Sequence, residues 1–270
     1  MSSVVKLFAT LSTTIKLLAA KKTTRHIGLA RTLSKLGYCS RSAAAGLIRS
    51  GRVTLNGKLR RDPETPVSSE RAQIQIDGEL ISSRSKIYLM MNKPRGLITT
   101  ASDEKGRDTV YTLLQNNSWL APVGRLDKGS EGLLLLTNDS EWSANIASPE
   151  THLEKTYHVQ LGILADEDFT SRLIKGVTTA DGELLRAKRA RLLRSGQKNC
   201  WLEITLDEGK NRQIRRMMQA MRIHAANVEV LRLVRVAIGP LKLGDLAKGK
   251  SRPLTSGEKS LLDHALSLNP

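Results

Sequence analysis

Apolar and polar positions divide the chain into stretches of different period. In Leu29-Ala30-Arg31-Thr32-Leu33-Ser34-Lys35-Leu36 the apolar residues recur at helical spacing, and Gly37 ends the run. Ser40 can cap a second short helix over residues 41–49, closed by Gly51. Val53-Thr54-Leu55 reads as a strand, Asn56-Gly57 as a two-residue hairpin, and Ala72-Gln73-Ile74-Gln75-Ile76 alternates again up to Asp77-Gly78. The pattern predicts a small unit over 27–81, two helices followed by short strands. Residues 82–86, Ser-Ser-Arg-Ser-Lys, read as a linker. From Ile87 to about Leu262, strand-like and helix-like runs alternate without the regular repeat of a βαβ array. That predicts a mixed α+β domain around a largely antiparallel sheet, with residues 263–270 as a tail. At the other end, Val4, Phe8, Leu11, Ile15 and Leu18 fall at helical spacing among Ser and Thr. Residues 1–26 are therefore a basic arm or a targeting segment.

Charge changes this picture from a fold to a partner. The 270 residues carry a net charge of +17, and residues 1–61 hold six Lys and seven Arg without a single acid. An uncompensated charge over a whole small unit points to a polyanion, nucleic acid before membrane. Apolar residues make up 40% of the chain but aromatics only 3%, so the core must be aliphatic. Cys39 and Cys200 form no pair motif, and the five histidines show no metal-ligand spacing. No apolar run approaches the ~20 residues that span a bilayer.

Candidate chemistry sits in Pro122-Val123-Gly124-Arg125-Leu126-Asp127-Lys128-Gly129-Ser130-Glu131-Gly132, which runs into the buried strand pattern Leu133 to Leu136. A lone loop Asp is more often a turn or cap residue than a catalyst. Here glycines on both sides let backbone approach a ligand closely, and basic residues flank the carboxylate.

Four stretches in order resemble the pseudouridine synthases of ribosomal RNA that carry an N-terminal S4-like domain. They are Asn92-Lys93-Pro94-Arg95-Gly96, Gly124-Arg125-Leu126-Asp127, Leu153-Glu154-Lys155-Thr156-Tyr157 and Glu208-Gly209-Lys210-Asn211-Arg212-Gln213-Ile214-Arg215-Arg216-Met217. Ser40-Arg41-Ser42 and Ile48 to Lys58 resemble the S4-like domain itself. The resemblance implies Asp127 as the essential carboxylate, Tyr157 as the platform for the target base, and Arg215 as the cation that opposes desolvation of Asp127. On a helix from about Arg212, Arg215 would share a face with Met218 and Arg222, while Arg212 and Arg216 would meet phosphate from a neighbouring edge. Arg41, Arg49, Arg52 and Lys58 would contact RNA backbone in the small unit, and Arg125 would either hold the site open or contact RNA backbone in the large one. The implied reaction is an isomerisation of uridine to pseudouridine that uses no cofactor and no metal. The implied partner is ribosomal RNA or a pre-ribosomal particle, the large subunit before the small, met by a monomer away from membranes. The compartment is the cytoplasm, or an organelle if residues 1–26 are a transit peptide. The family often has Thr-Ser or Thr-Thr where this chain has Ser130-Glu131, a difference read as a mark of substrate.

Three other readings compete. A non-catalytic ribosome-assembly factor would explain the charge and the small unit, but not the joint presence of Asp127, Tyr157 and Arg215. Gly244-Asp245-Leu246-Ala247-Lys248-Gly249-Lys250-Ser251 fits a phosphate-loop pattern, yet Pro253 follows where a long helix is required. Asp127 and Glu131 could be imagined as the acids of a glycoside hydrolase, but four residues in a glycine-rich turn do not set two carboxylates across a sugar.

Overall fold

The computed structural model describes residues 27–68, 71–100, 106–114, 118–223 and 226–268. The apolar stripe at 1–26 lies outside them. Of the described residues, 27–32 and 42–81 cluster as one compact unit, and 33–41 with 82–268 as another.

The chain begins with β1 (Ile27–Gly28), α1 (Leu29–Lys35) and α2 (Arg41–Arg49). β2 (Val53–Leu55), β3 (Lys58–Arg60), β4 (Pro66–Val67), β5 (Ile74–Ile76) and β6 (Glu79–Leu80) follow. The β2–β3 hairpin turns at Asn56 (φ 52°) and Gly57 (φ 75°), and β5–β6 at Asp77 (φ 53°) and Gly78 (φ 86°). These are the left-handed pairs that the Asn-Gly and Asp-Gly signals demand. The short strand β1, paired with β4, has no counterpart in the sequence reading, because two residues are too few to show a period. Ala44, Ile48, Val53, Leu55, Ile74 and Ile76 are buried, so the alternation in β2 and β5 is the alternation of core and surface.

The larger unit is built on one sheet. Its strands are β7 (Tyr88–Lys93), β8 (Ala121–Val123), β9 (Glu131–Thr137), β10 (Lys155–Leu161), then, past the small β11 (Val177–Thr178) and β12 (Leu184–Leu185) pair, β13 (Arg189–Ser195) and β14 (Cys200–Leu206). After another small pair, β15 (Arg222–Ile223) and β16 (Ala226–Asn227), come β17 (Val230–Ile238), β18 (Leu241–Lys242) and β19 (Ser251–Pro253). The order is β13-β14-β10-β17-β9-β7-β19, with β18 on β17 and β8 on β9. Every named pair is antiparallel except β9 with β17, which run parallel over Val234↔Glu131 and Arg235↔Gly132. The chain is thus α+β with a mixed, largely antiparallel sheet, as the irregular alternation of runs implies.

Strand β9 explains the leucine run. Leu133 and Leu135 face one core, with Trp142 and Ile146 of α3 (Ser140–Ala147). Leu134 and Leu136 face another, with Leu120 and Leu126. A central strand buried on both faces has no polar side, and each buried leucine contributes roughly 1.5–3 kcal/mol. A third core packs Val159, Leu202 and Ile204 beneath α4 (Glu167–Lys175) and α5 (Gln213–Ala220). Gly132 sits where β9 meets β17: φ is 101°, and a Cβ there would lie 2.2 Å from the Arg235 carbonyl oxygen. The last helix, α6 (Ser256–Ser267), runs on beyond residue 262 and buries Leu262, so the segment from 263 continues a packed helix. The phosphate-loop pattern at 244–251 is a turn between β18 and β19, in which the Asn92 side chain donates to the Leu246 carbonyl at 2.7 Å.

Candidate active site

The loop between β8 and β9 carries Asp127 and is braced from several directions. Leu126 is buried beneath it. The Thr99 hydroxyl donates to the Leu126 carbonyl at 2.8 Å, and the Leu126 N–H points back to that hydroxyl at 3.3 Å. The Gly96 N–H donates to the Lys128 carbonyl at 2.8 Å. From β7, the fully buried Lys93 ammonium donates to the carbonyls of Pro94 (3.1 Å), Asp127 (3.2 Å) and Ser130 (2.9 Å). Burial pushes the Lys93 amine down to about 8, against the opposing pull of the Asp127 and Glu131 carboxylates. The three protons of an ammonium match three carbonyls, so this lysine fixes the backbone of the loop.

Asp127 lines a cavity of about 590 Å³ together with Arg125, Lys155, Tyr157, Arg212 and Arg235. Its Oδ2 lies 3.5 Å from Nη1 of Arg212. Arg212 is not within the helix. It precedes α5 with a left-handed φ of 48°, a conformation costly for an arginine and one that sets its side chain at the carboxylate. Arg215, the cation expected at Asp127, instead donates through Nη2 to the Gly129 carbonyl (3.0 Å) and through Nη1 to the Val230 carbonyl (3.4 Å). Burial lowers its pKa first, the neighbouring Arg212 and Arg95 lower it further, and the Asp127 charge opposes them. Arg212 therefore pairs with the carboxylate, the place the helical face assigned to Arg215, and Arg215 ties down the loop that carries it. The shared face also ends early. Helix α5 stops at Ala220, so Arg222 belongs to β15.

Tyr157 on β10 lines the same cavity, between Ile204 of β14 and Arg235 of β17 in register. Two residues along the strand and on the same face, Lys155 also lines it. Burial pushes its amine down to about 8, Arg235 adding to the fall and Asp207 opposing it. Arg235 is buried, donates through Nε to the Leu133 carbonyl at 2.7 Å, and has an Nη2 without a hydrogen-bond partner among the described residues. Lys93, Thr99, Lys155 and Arg235 carried no assigned role in the sequence reading. The signal for Lys93 was a charged residue closing an apolar strand, and for Lys155 its i, i+2 relation to Tyr157.

The remaining candidates separate. Arg125 is exposed at the cavity. Arg216 lies away from its lining, held by Asp181 (2.9 Å) and Glu183 (2.6 Å). Arg41, Arg49, Arg52 and Lys58 are exposed, and Arg52 is paired with Asp77. Glu131 is buried. Burial would raise its pKa, but hydrogen bonds from Arg232 (3.1 Å) and Lys248 (2.6 Å) more than offset this and hold it below the usual range. It joins β9 to β17 and to the turn at 248, and among the described residues the other acid lining the cavity, Glu208, is engaged by Lys210 (3.2 Å) and Gln213 (2.5 Å). Among the described residues no helix is long and apolar enough to cross a membrane.

A family model described as RNA pseudouridylate synthase matches residues 87–220, and an S4 domain model matches residues 27–72. Fold and cleft thus define an RNA-modifying enzyme behind an RNA-binding module. The chain is 35% identical over 245 residues to an uncharacterised RNA pseudouridine synthase of Aquifex aeolicus (strain VF5), covering 90% of this chain and 96% of that one. It is 33% identical over 243 residues to ribosomal large subunit pseudouridine synthase B of Bacillus subtilis (strain 168), covering 87% and 97%. A crystal structure of a pseudouridylate synthase superimposes with a TM-score of 0.61 at 30% identity, covering 87% of this chain and 99% of that one. The chain belongs to the RNA pseudouridine synthase family.

Proposed function

We propose that this enzyme converts a specific uridine of ribosomal RNA to pseudouridine, in the large subunit before the small, with Asp127 as the catalytic carboxylate. The observation that carries the reading is the carboxylate itself. It sits on a loop braced by Lys93, Thr99 and Arg215, beside Arg212, in a cavity shared with the Tyr157 ring. The likeness to the Bacillus subtilis large-subunit enzyme supports the choice of RNA.

The reaction breaks the bond from ribose C1′ to base N1 and forms one from C1′ to C5. A proton leaves C5 and one is gained at N1, so atoms balance without a co-reactant or cofactor. Asp127 acts on the sugar as an anion, whether by attack at C1′ or by removing a proton beside it, with the Arg212 guanidinium 3.5 Å from its Oδ2. The target base must leave its stack to enter the cavity, where Tyr157 provides a face for it and a group near C5. Arg125 and Arg212 hold the adjoining backbone. Residues 27–81 dock the RNA through Arg41, Arg49 and Lys58, and residues 87–262 catalyse. Arg216 and Arg52 have less part in this, since carboxylates already engage them.

The test is Asp127→Ala, with pseudouridine mapped in the native RNA and binding measured in parallel. Loss of the modification with RNA binding intact is the expected result. Persistence of the modification overturns the assignment, and an enzyme that binds but never modifies RNA favours the assembly-factor reading.

A further inference from the structure

One face of the sheet packs under α4 and α5. The register places a different set of side chains on the other. Arg194, Trp201, Gln160 and Arg232 lie in one row across β13, β14, β10 and β17, and Arg191, Glu203, His158 and Val234 lie in the next. A bulge between Leu192 and Arg194 brings Leu193 and Arg194 together at the end of the first row. They border a hollow of about 390 Å³ whose other walls are His158, Trp201 and Val234. It shares no lining residue with the Asp127 cavity.

The chemistry of this hollow is specific. Trp201 is half-buried in a chain with only three tryptophans and two phenylalanines, which has few large rings to leave near solvent. Two guanidinium groups lie over its ring, Arg194 at 5.1 Å and Arg232 at 5.5 Å from the centroid. The acids of the face are already engaged: Glu203 by Arg191 (2.7 Å) and His158 (3.2 Å), and Glu131 by Arg232 and Lys248. Arg194 is exposed and has no carboxylate within ion-pair distance among the described residues. An open sheet face with a ring beside two cations, one of them uncompensated, is complementary to an unpaired nucleotide, whose base stacks while its phosphate meets arginine.

We infer that Trp201 and Arg194 form a second RNA seat, for an unpaired nucleotide of the bound RNA remote from the target uridine, on the sheet face turned away from α4 and α5. The base stacks on Trp201 in the hollow, Arg194 turns to the neighbouring phosphate, and His158 lines the hollow beside the base. The seat does not depend on the chemical role of Asp127.

Titration of the full chain with a single-stranded oligouridylate of about ten nucleotides, followed by tryptophan fluorescence, tests this. Quenching that disappears in Trp201→Phe is expected. Arg194→Glu is expected to weaken binding of the same oligonucleotide roughly tenfold, with a parallel rise in KM for the substrate RNA. Arg194 is exposed, so this variant stands even if Trp201 variants fold poorly. Quenching that persists in Trp201→Phe overturns the seat, as does an Arg194→Glu affinity within twofold of the parent. Self-association that Arg194→Glu abolishes while RNA affinity stays intact would assign the face to a second copy of the chain instead.

Discussion

The Nζ of Lys93 donates to the main-chain carbonyl of Asp127 at 3.2 Å, and to those of Pro94 and Ser130 besides. A buried cation in β7 thus sets the backbone from which the Asp127 carboxylate projects. Lys93→Met keeps the bulk and removes all three donors, leaving buried carbonyls unmet at roughly 1–3 kcal/mol each. The expected outcome is a melting temperature lower by several degrees and a kcat reduced at least about tenfold, with RNA affinity little changed. Thermal unfolding and single-turnover kinetics check it.

The same residue gives a pH signature. Folded Lys93 releases its proton at about 8, against an ordinary value of 10.5. Above 8 the neutral amine has one N–H fewer than the carbonyls it serves, so kcat falls as pH rises through 8. Stability moves the other way. Between 8 and 10.5 the unfolded chain binds the additional proton, so this residue's contribution to stability rises with pH across that window and is constant below it. Lys155 is also lowered to about 8. If Lys93 sets the limb, Lys155→Met retains it. A pH–rate profile of both proteins decides.

Arg212 and Arg215 part company when substituted. Arg212→Gly relieves a left-handed arginine and removes one contact to Asp127, so stability holds or rises by about 1 kcal/mol while activity drops. Arg215→Lys cannot reach the Gly129 and Val230 carbonyls with two nitrogens, so both stability and kcat fall. Denaturant melts paired with kcat values separate the two.

Gly132→Ala forces a Cβ against the Arg235 carbonyl oxygen at 2.2 Å with φ at 101°. The expected cost exceeds about 3 kcal/mol, a large fraction of the stability of a typical domain. Equilibrium unfolding measures it.

What the chain disclosed in advance follows from how local each signal is. Asn56-Gly57 and Asp77-Gly78 announce their turns because left-handed backbone favours those residues, and both turns are present. The leucines of β9 announce a central strand, and the glycine-rich loop before them a site. The partner of Asp127 was not available from periodicity. A helical face assigned Arg215, but the helix starts one residue after Arg212, whose left-handed φ no propensity encodes. The role of Lys93 depends on three carbonyls from two loops, one after β7 and one before β9, a relation that exists only once β7 lies beside β9.

The most direct measurement is the pseudouridine map of large-subunit ribosomal RNA from cells whose sole copy of this enzyme carries Asp127→Asn, a change that keeps shape and removes charge. The account predicts that one pseudouridine present with the parent enzyme is absent, while the variant still binds the RNA. A map identical to that of the parent would contradict it.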